Sequence, residues 1–292
     1  MSYDIINKNC LDVFSAGEIR RHVDLTFLDP PFNQNKEYAF HQDNMIDESY
    51  WEMMQTVCRS VFEITATGGT IYFMQREKNI EFVLQSLRKT GWTLQNVIIW
   101  KKKTSAVPVT TKFGKHYQII AYATKGERAK TFHRLRIDPE LPLEYKLPRE
   151  NGVFITDVWD DIRELTSGYF AGNEAIRLST GERFHKQQTP IALLLRIILS
   201  STNVGDFIFD PFAGTGTSLI VAHQLQRDSL GIEIDPQNVA CIRDRLAVIH
   251  ESDSIQKYYS DYKYSENISS IWANDSGNLV PKAQKVLGLF EN

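Results

Sequence analysis

The stretch Asp210-Pro211-Phe212-Ala213-Gly214-Thr215-Gly216-Thr217 lies between a short apolar run, Phe207 to Phe209, and an apolar segment of helical period, Thr217 to Gln226. Strand, glycine loop and helix in that order form a ligand site at the carboxyl edge of an open α/β sheet. Gly214 and Gly216 let the backbone turn sharply and approach a ligand closely. The next strand, Leu230 to Ile234, carries Glu233 near its end, where a carboxylate can accept both hydroxyl hydrogens of a ribose. A glycine pair alone also fits a plain strand-to-helix turn. The dinucleotide fingerprint wants a third glycine, and Leu219 stands at that position. Asp210 ahead of the loop argues further against a pyrophosphate, which a carboxylate repels. A cofactor carrying positive charge suits it better.

Toward the N-terminus the alternation of apolar runs and helix-period segments continues, the pattern of a mostly parallel sheet covered by helices. Val23 to Leu28 reads as a buried strand that ends at Asp29-Pro30-Pro31-Phe32. Proline makes up about 5% of residues in ordinary proteins, so Asp-Pro-Pro-aromatic arises by chance in well under ~1% of chains this long. Two prolines fix a rigid turn and remove backbone donors, leaving the Pro30 carbonyl as an acceptor beside the Asp29 carboxylate. Phe32 adds an aromatic face. Such a turn can hold both hydrogens of an exocyclic base amine and aim the nitrogen lone pair outward.

Further elements are expected as a helix from Asp47 to Thr65, with Trp51, Met54, Cys58, Val61 and Phe62 on one face, and a break at Gly68-Gly69. A strand Thr70 to Met74, a helix Asn79 to Lys89 and strands Leu94 to Trp100 and Tyr117 to Ala123 follow. Thr189-Pro190 opens a helix with Ile191, Leu194, Leu195 and Ile198 as its apolar stripe, and another begins at Pro236. From Gly126 to about Arg183 the regularity fades into charge, proline and glycine, with the short Val153 to Trp159 run as its best element; the stretch is too long for an ordinary connection and is therefore a functional insertion. The last ~40 residues read as an appendage without a clear element.

The chain has 292 residues, 42% hydrophobic and 24% charged, ordinary values for a globular protein. No run reaches the length of a membrane span, and Met1 to Cys10 is too polar for a secretory signal. Cys10, Cys58 and Cys241 are far apart and the seven histidines lack ligand spacing, which argues against a disulfide framework or a metal site and suits a cytoplasmic setting. The net charge of −3 hides a basic run between Lys101 and Arg136, ten lysines and arginines against Glu127 alone. Such a run can neutralise phosphates, or be a solvated face.

Taken together, these segments resemble the beta-type amino-methyltransferases of bacterial restriction-modification systems, in which the catalytic motif precedes the cofactor motif. The resemblance runs through Asp29-Pro30-Pro31-Phe32, Gly69-Thr70-Ile71-Tyr72-Phe73, Ile99-Trp100-Lys101, Asp157-Val158-Trp159 and His185-Lys186-Gln187-Gln188-Thr189-Pro190, then Gly205-Asp206 to Thr217 and Gly231-Ile232-Glu233. Three positions depart from the family pattern. Asn9, in Lys8-Asn9-Cys10, stands where relatives usually carry Asp; the middle of the His185 motif is altered; and His116-Tyr117 replaces the frequent His-Glu.

The resemblance implies a Rossmann-like methyltransferase fold with a seven-stranded, mostly parallel sheet and helices on both faces. Residues 1–250 would form the methyltransferase domain, 125–185 an inserted target-recognition region and 251–292 a C-terminal appendage. It implies S-adenosylmethionine as the methyl donor, bound by Asn9, Cys10, Thr189, Asp210, Phe212, Gly214, Thr215, Gly216, Thr217 and Glu233. The sulfonium and ammonium of that cofactor match a carboxylate-lined site. Catalysis falls to Asp29, Pro30, Pro31 and Phe32, acting on a base flipped out of duplex DNA. Lys101, Lys102, Lys103, Lys112, Lys115, Arg128 and Arg134 are expected to meet phosphates. Asp at the first motif position points to adenine. A cytosine-amine enzyme, an RNA methyltransferase and a silent DNA-binding scaffold are the alternatives, and a cognate endonuclease and a homodimer are conceivable partners.

Overall fold

The computed structural model describes residues 2–34, 45–103, 109–138, 151–165, 173–177, 180–184 and 188–272. In chain order the strands are β1 (Tyr3–Ile6), β2 (Val23–Leu28), β3 (Thr65–Arg76), β4 (Thr93–Lys101), β5 (Tyr117–Thr124), β6 (Arg136–Ile137), β7 (Val153–Phe154), β8 (Val158–Trp159), β9 (Phe207–Asp210) and β10 (Asp228–Ile232). The α-helices are α1 (Cys10–Ser15), α2 (Asp47–Ile64), α3 (Ile80–Lys89), α4 (Ile191–Ser201), α5 (Thr217–Gln224), α6 (Pro236–Ala247) and α7 (Ile268–Trp272).

The main sheet has the order β1-β10-β9-β2-β3-β5-β4-β8, and β5 alone runs antiparallel to its neighbours. Seven strands match the expected sheet. The eighth, β8, is a two-residue edge strand that pairs Val158 and Trp159 with Ile99 and Trp100. Strand alternation separates two cores. Leu25, Phe27, Tyr72, Met74, Ile120 and Tyr122 face α4 and α5, whereas Val23, Ile71, Phe73, Ile119 and Ala121 face α1, α2 and α3.

Some expectations need correction. β1 and α1 were not anticipated; β1 is a four-residue edge strand with Tyr3 and Asp4 exposed and only Ile5 and Ile6 turned to apolar neighbours. Gly68 and Gly69 do not break the chain before a strand but lie inside β3, at a register shift against β2. A Cβ on Gly69 would stand 3.0 Å from the Val23 carbonyl oxygen, so the two backbones meet where only glycine fits. Helix α4 shows no single stripe, since Leu193, Ile197 and Leu199 are buried with the others. The covering comes from residues 251–272, whose Ile255, Tyr262, Ile271 and Trp272 join the α4 core. Its buried Arg196 is held by Asp161 and lies 5.1 Å from the Trp159 ring centroid. Among the described residues no helix is long and apolar enough to cross a membrane, and no cluster of His, Cys, Asp or Glu could hold a metal ion.

Candidate active site

Strands β9 and β2 are neighbours, with Thr26 opposite Phe209. Their carboxyl ends therefore stand side by side, about 4.8 Å apart. Asp210 closes β9, and Asp29 follows β2 by one residue. Two motifs roughly 180 residues apart in sequence meet at one sheet edge.

On the cofactor-loop side, Gly214 and Gly216 both have left-handed backbones, at φ +54° and +76°. Their reasons differ. A Cβ on Gly216 would stand 2.7 Å from Ile242, so this glycine lets α5 pack closely on α6. A Cβ on Gly214 would meet only the Phe212 carbonyl oxygen, at 3.9 Å, so the protein leaves open the space over the loop. Asp210 is buried, accepts a short hydrogen bond from the Ser218 hydroxyl and takes another from the Phe212 amide at 3.1 Å. Burial, reinforced by the nearby Glu233 charge, pushes its carboxyl up to about 7.

Glu233 accepts from the Gly214 amide at 2.7 Å, the Asp235 amide at 2.9 Å and the Asn238 side-chain amide at 3.3 Å. Burial raises this carboxyl too. A carboxylate has about four lone-pair sites. One ribose hydroxyl can therefore bind directly, and a second must displace the long Asn238 contact. Asn7 fixes the following backbone by donating to the Glu233 and Ile234 carbonyls at 2.8 and 3.0 Å. The buried Thr217 hydroxyl, at the first residue of α5, has no hydrogen-bond partner in the structure. Two buried carboxylates, open space above a glycine loop and an unsatisfied hydroxyl fit a cationic nucleoside.

Asn9 sits beyond β1 as the N-cap of α1, its side chain accepting from the Leu11 amide at 3.0 Å. Cys10 points into the core behind the sheet, and burial pushes its thiol up to about 12. Phe212 is half-buried against that same core.

On the catalytic side, Thr189 donates to Asp29 Oδ2 at 2.9 Å. Its hydroxyl is thus engaged with the Asp29 turn, although the sequence analysis grouped Thr189 with the cofactor-binding residues. The reason is local: Thr189 directly precedes Pro190, the N-cap of α4. The turn is braced from below as well. Tyr50 donates to the Pro31 carbonyl at 2.7 Å, and Gln75 donates to the Tyr50 hydroxyl at 3.0 Å. Pro30 is buried and its carbonyl lies beside Asp29 in the chain. Phe32 is only 7% exposed and belongs to the α4 core, so most of its ring area is already covered by protein. It offers a base less face than the sequence implies. His185, Lys186 and Gln187 lie outside the described residues, as does the appendage beyond Trp272.

With this geometry in place, residues 23–244 match a family of DNA methylases, the N6/N4 class. The chain belongs to that family. It is similar to the type II methyltransferase M.HpaI of Haemophilus parainfluenzae, 28% identical over 227 residues, covering 77% of this chain and 68% of the relative. The DNA adenine methyltransferase YhdJ of Escherichia coli strain K12 is 26% identical over 275 residues, covering 90% and 85%. Among solved structures the fold is shared with the M1.HpyAVI-SAM complex (TM-score 0.59, 18% identity, covering 84% of this chain and 100% of that one). It is also shared with the PvuII DNA methyltransferase, cytosine-N4-specific (TM-score 0.61, 15% identity, covering 90% and 92%). The protein is an S-adenosylmethionine-dependent DNA methyltransferase of the N4/N6 amino class.

The basic run of the methyltransferase does not form one face. Lys101 ends β4 at the edge that holds Asp29, with Asp160 3.9 Å away, and Lys115 pairs with Glu77 at 3.0 Å. Lys102 lies over the Trp100 ring, the Lys103 amide donates to Glu164, and Lys112 is exposed. Antiparallel β5 then carries the chain to the opposite edge. There Lys125 caps the end of α2 by donating to the Phe62 and Thr65 carbonyls, and Lys130 pairs with Asp24. Arg128 belongs with this far edge, away from the site. Arg134 lies beside the β6-β7 ribbon with its guanidinium 4.0 Å from the Phe154 ring centroid.

Sequence reasoning missed Ser218 and Asn238, which reach their carboxylates across a strand-to-helix turn, and Tyr50 and Gln75, whose partners lie 19 and 25 residues away. The Asp210 carboxyl near 7 has a measurable consequence. Its charged form is disfavoured by burial and favoured by a cationic ligand. Cofactor affinity is therefore expected to rise by up to about tenfold per pH unit as pH approaches 7 from below, then level off. Calorimetric titration across that range checks this, and Asp210→Asn is expected to flatten the profile. In the free protein the sign is opposite. Between about 4 and 7 the folded state keeps a proton that the unfolded state has lost, so this group's contribution to stability falls as pH rises.

Proposed function

We propose that this methyltransferase modifies N6 of adenine in duplex DNA, flipping the base into the Asp29 turn and reading its target with residues between 125 and 185. The observation that carries the reading is the placement of Asp29, oriented by Thr189, in the turn after β2, the strand adjacent to the one that Asp210 closes. The bound cofactor supplies an electrophilic methyl group. In this scheme Asp29 and the Pro30 carbonyl accept the two amine hydrogens and aim the nitrogen lone pair along the transfer line. Tyr50 and Gln75 keep the turn rigid, and Glu233 and the Gly214 loop hold the nucleoside end of the cofactor. No strong base is required before attack, because the nitrogen becomes acidic only as its new bond forms. The proton then leaves, with Asp29 the nearest acceptor.

Adenine is supported by Asp at position 29, the residue found mostly in adenine-modifying members of the resembled group, and by the similarity to a DNA adenine methyltransferase over 90% of the chain. Lys101, Lys102, Lys103, Lys112 and Lys115 meet phosphates in this reading. A cognate endonuclease is the partner this reading allows, in keeping with the similarity to a type II methyltransferase. The test is incubation of unmethylated plasmid DNA with methyl-labelled cofactor, followed by digestion to nucleosides. The label is expected in N6-methyladenine. Label in N4-methylcytosine would move the reading to cytosine, and label only in RNA would overturn the DNA assignment.

A further inference from the structure

The connection from β4 to β5 carries Val109-Thr110-Thr111-Lys112-Phe113-Gly114-Lys115-His116, and Phe113 within it is 97% exposed. Among the described residues no other large apolar side chain approaches this value; the next is Ile46 at 73%. Singly exposed apolar side chains are common, and what sets Phe113 apart is a ring almost wholly in water within a short run of lysines. Its surroundings say what covers it. Lys112 and Lys115 flank it, and Lys101, Lys102 and Lys103 lie at the other end of the same connection.

Position narrows the choice. Strand β2 stops at Leu28, opposite Phe73, whereas β3 continues to Arg76, opposite Gln118 of β5. Three extra residues raise the start of β5 about 10 Å above the end of β2. Two strand spacings separate them sideways, again about 10 Å. Residues 109–116, which lead into β5, therefore start from a point above and beside the Asp29 turn, at the same sheet edge.

Resting on the reading of this protein as a base-flipping DNA methyltransferase, we infer that Phe113 is the wedge that enters the duplex when the target base leaves. Apolar side chains inserted between base steps hold DNA open, and the flanking lysines would anchor the phosphates on either side. The inserted ring replaces the stacking that the departing base gives up. Phe113 touches neither the cofactor nor the reacting amine, so its effect appears in base capture and not in cofactor binding.

The experiment compares single-turnover methylation of two synthetic duplexes carrying the modified site as mapped on plasmid DNA, one fully paired and one with the target base mispaired. Mispairing lowers the flipping cost. Phe113→Ala is expected to slow the paired duplex by about tenfold or more and the mispaired one by less than about threefold. Phe113→Trp is expected to restore the paired rate, and S-adenosylmethionine affinity is expected to stay unchanged in both variants. Equal slowing of the two duplexes, or no slowing, overturns the wedge. So does a change in sedimentation without a change in the rate ratio, which would assign Phe113 to contact with a second copy. Failure of the unsubstituted protein to methylate either duplex strikes instead at the underlying functional reading.

Discussion

Asp29→Ala is expected to reduce single-turnover methyl transfer by roughly a hundredfold or more while leaving S-adenosylmethionine affinity within about twofold, because misplacing a reacting group by an ångström costs about that much. The separation follows from geometry. Asp29 is oriented by Thr189 at 2.9 Å in the turn after β2, whereas Asp210 accepts from Phe212 and Ser218, and Glu233 accepts from Gly214, around the loop after β9. Removing the Asp29 carboxylate leaves the cofactor loop intact and leaves one base-amine hydrogen without an acceptor. Asp29→Asn preserves shape and one acceptor oxygen but adds a donor that faces the amine, so it too is expected to lose most of the rate. Thr189→Val removes only the orienting bond and is expected to cost about tenfold, the scale of a single hydrogen bond. Full activity in Asp29→Ala, with transfer measured at saturating cofactor, would mean that the catalytic turn lies elsewhere.

Asp253→Ala is expected to destabilise the protein by about 3–5 kcal/mol, the cost of leaving a buried charge without its partner. Arg245 on α6 is 1% exposed and pairs with Asp253 through contacts of 2.8 and 3.1 Å. The same guanidinium donates to the Thr215 carbonyl of the cofactor loop. Residues 251–272 therefore do more than cover α4: they hold the group that holds the loop. The double variant Arg245→Met with Asp253→Leu removes both charges, and such exchanges are often neutral or stabilising. It is expected to fold with near-normal stability yet to bind S-adenosylmethionine about tenfold more weakly, since the Thr215 carbonyl loses its donor. Urea denaturation and calorimetry separate the two effects. Normal stability in Asp253→Ala would remove the pair from the account.

The contrast between these two predictions shows what was legible in the sequence. Asp29, Asp210 and Glu233 could be read because each ends a continuous apolar run, and parallel strands bring their ends to one edge. Asp253 could not be read: it sits in a 3₁₀ turn without periodicity, and its partner Arg245 is recognisable only once α6 is placed. The same holds for the Thr189 contact with Asp29, which joins residues 160 positions apart. β1 escaped notice because it is only four residues long, and the Val153 to Trp159 run divides into β7 and β8, which pair with different partners. Arg128 was grouped with the other cations because nearness in sequence stood in for nearness in space. The antiparallel course of β5 puts it at the opposite edge. Phe32 was read as an open face because the depth of α4 packing is a tertiary fact.

The central claim is that one pocket, between the Asp29 turn and the Gly214 loop, holds the target base and the cofactor together. A crystal structure of the protein with a non-transferring cofactor analogue and a duplex carrying the mapped site tests it most directly. The account predicts an adenine outside the helix, its N6 within hydrogen-bond distance of Asp29 and the Pro30 carbonyl, with the analogue's ribose on Glu233. A base still stacked in the duplex with the protein fully engaged, or an extruded base whose amine contacts neither Asp29 nor Pro30, would contradict it.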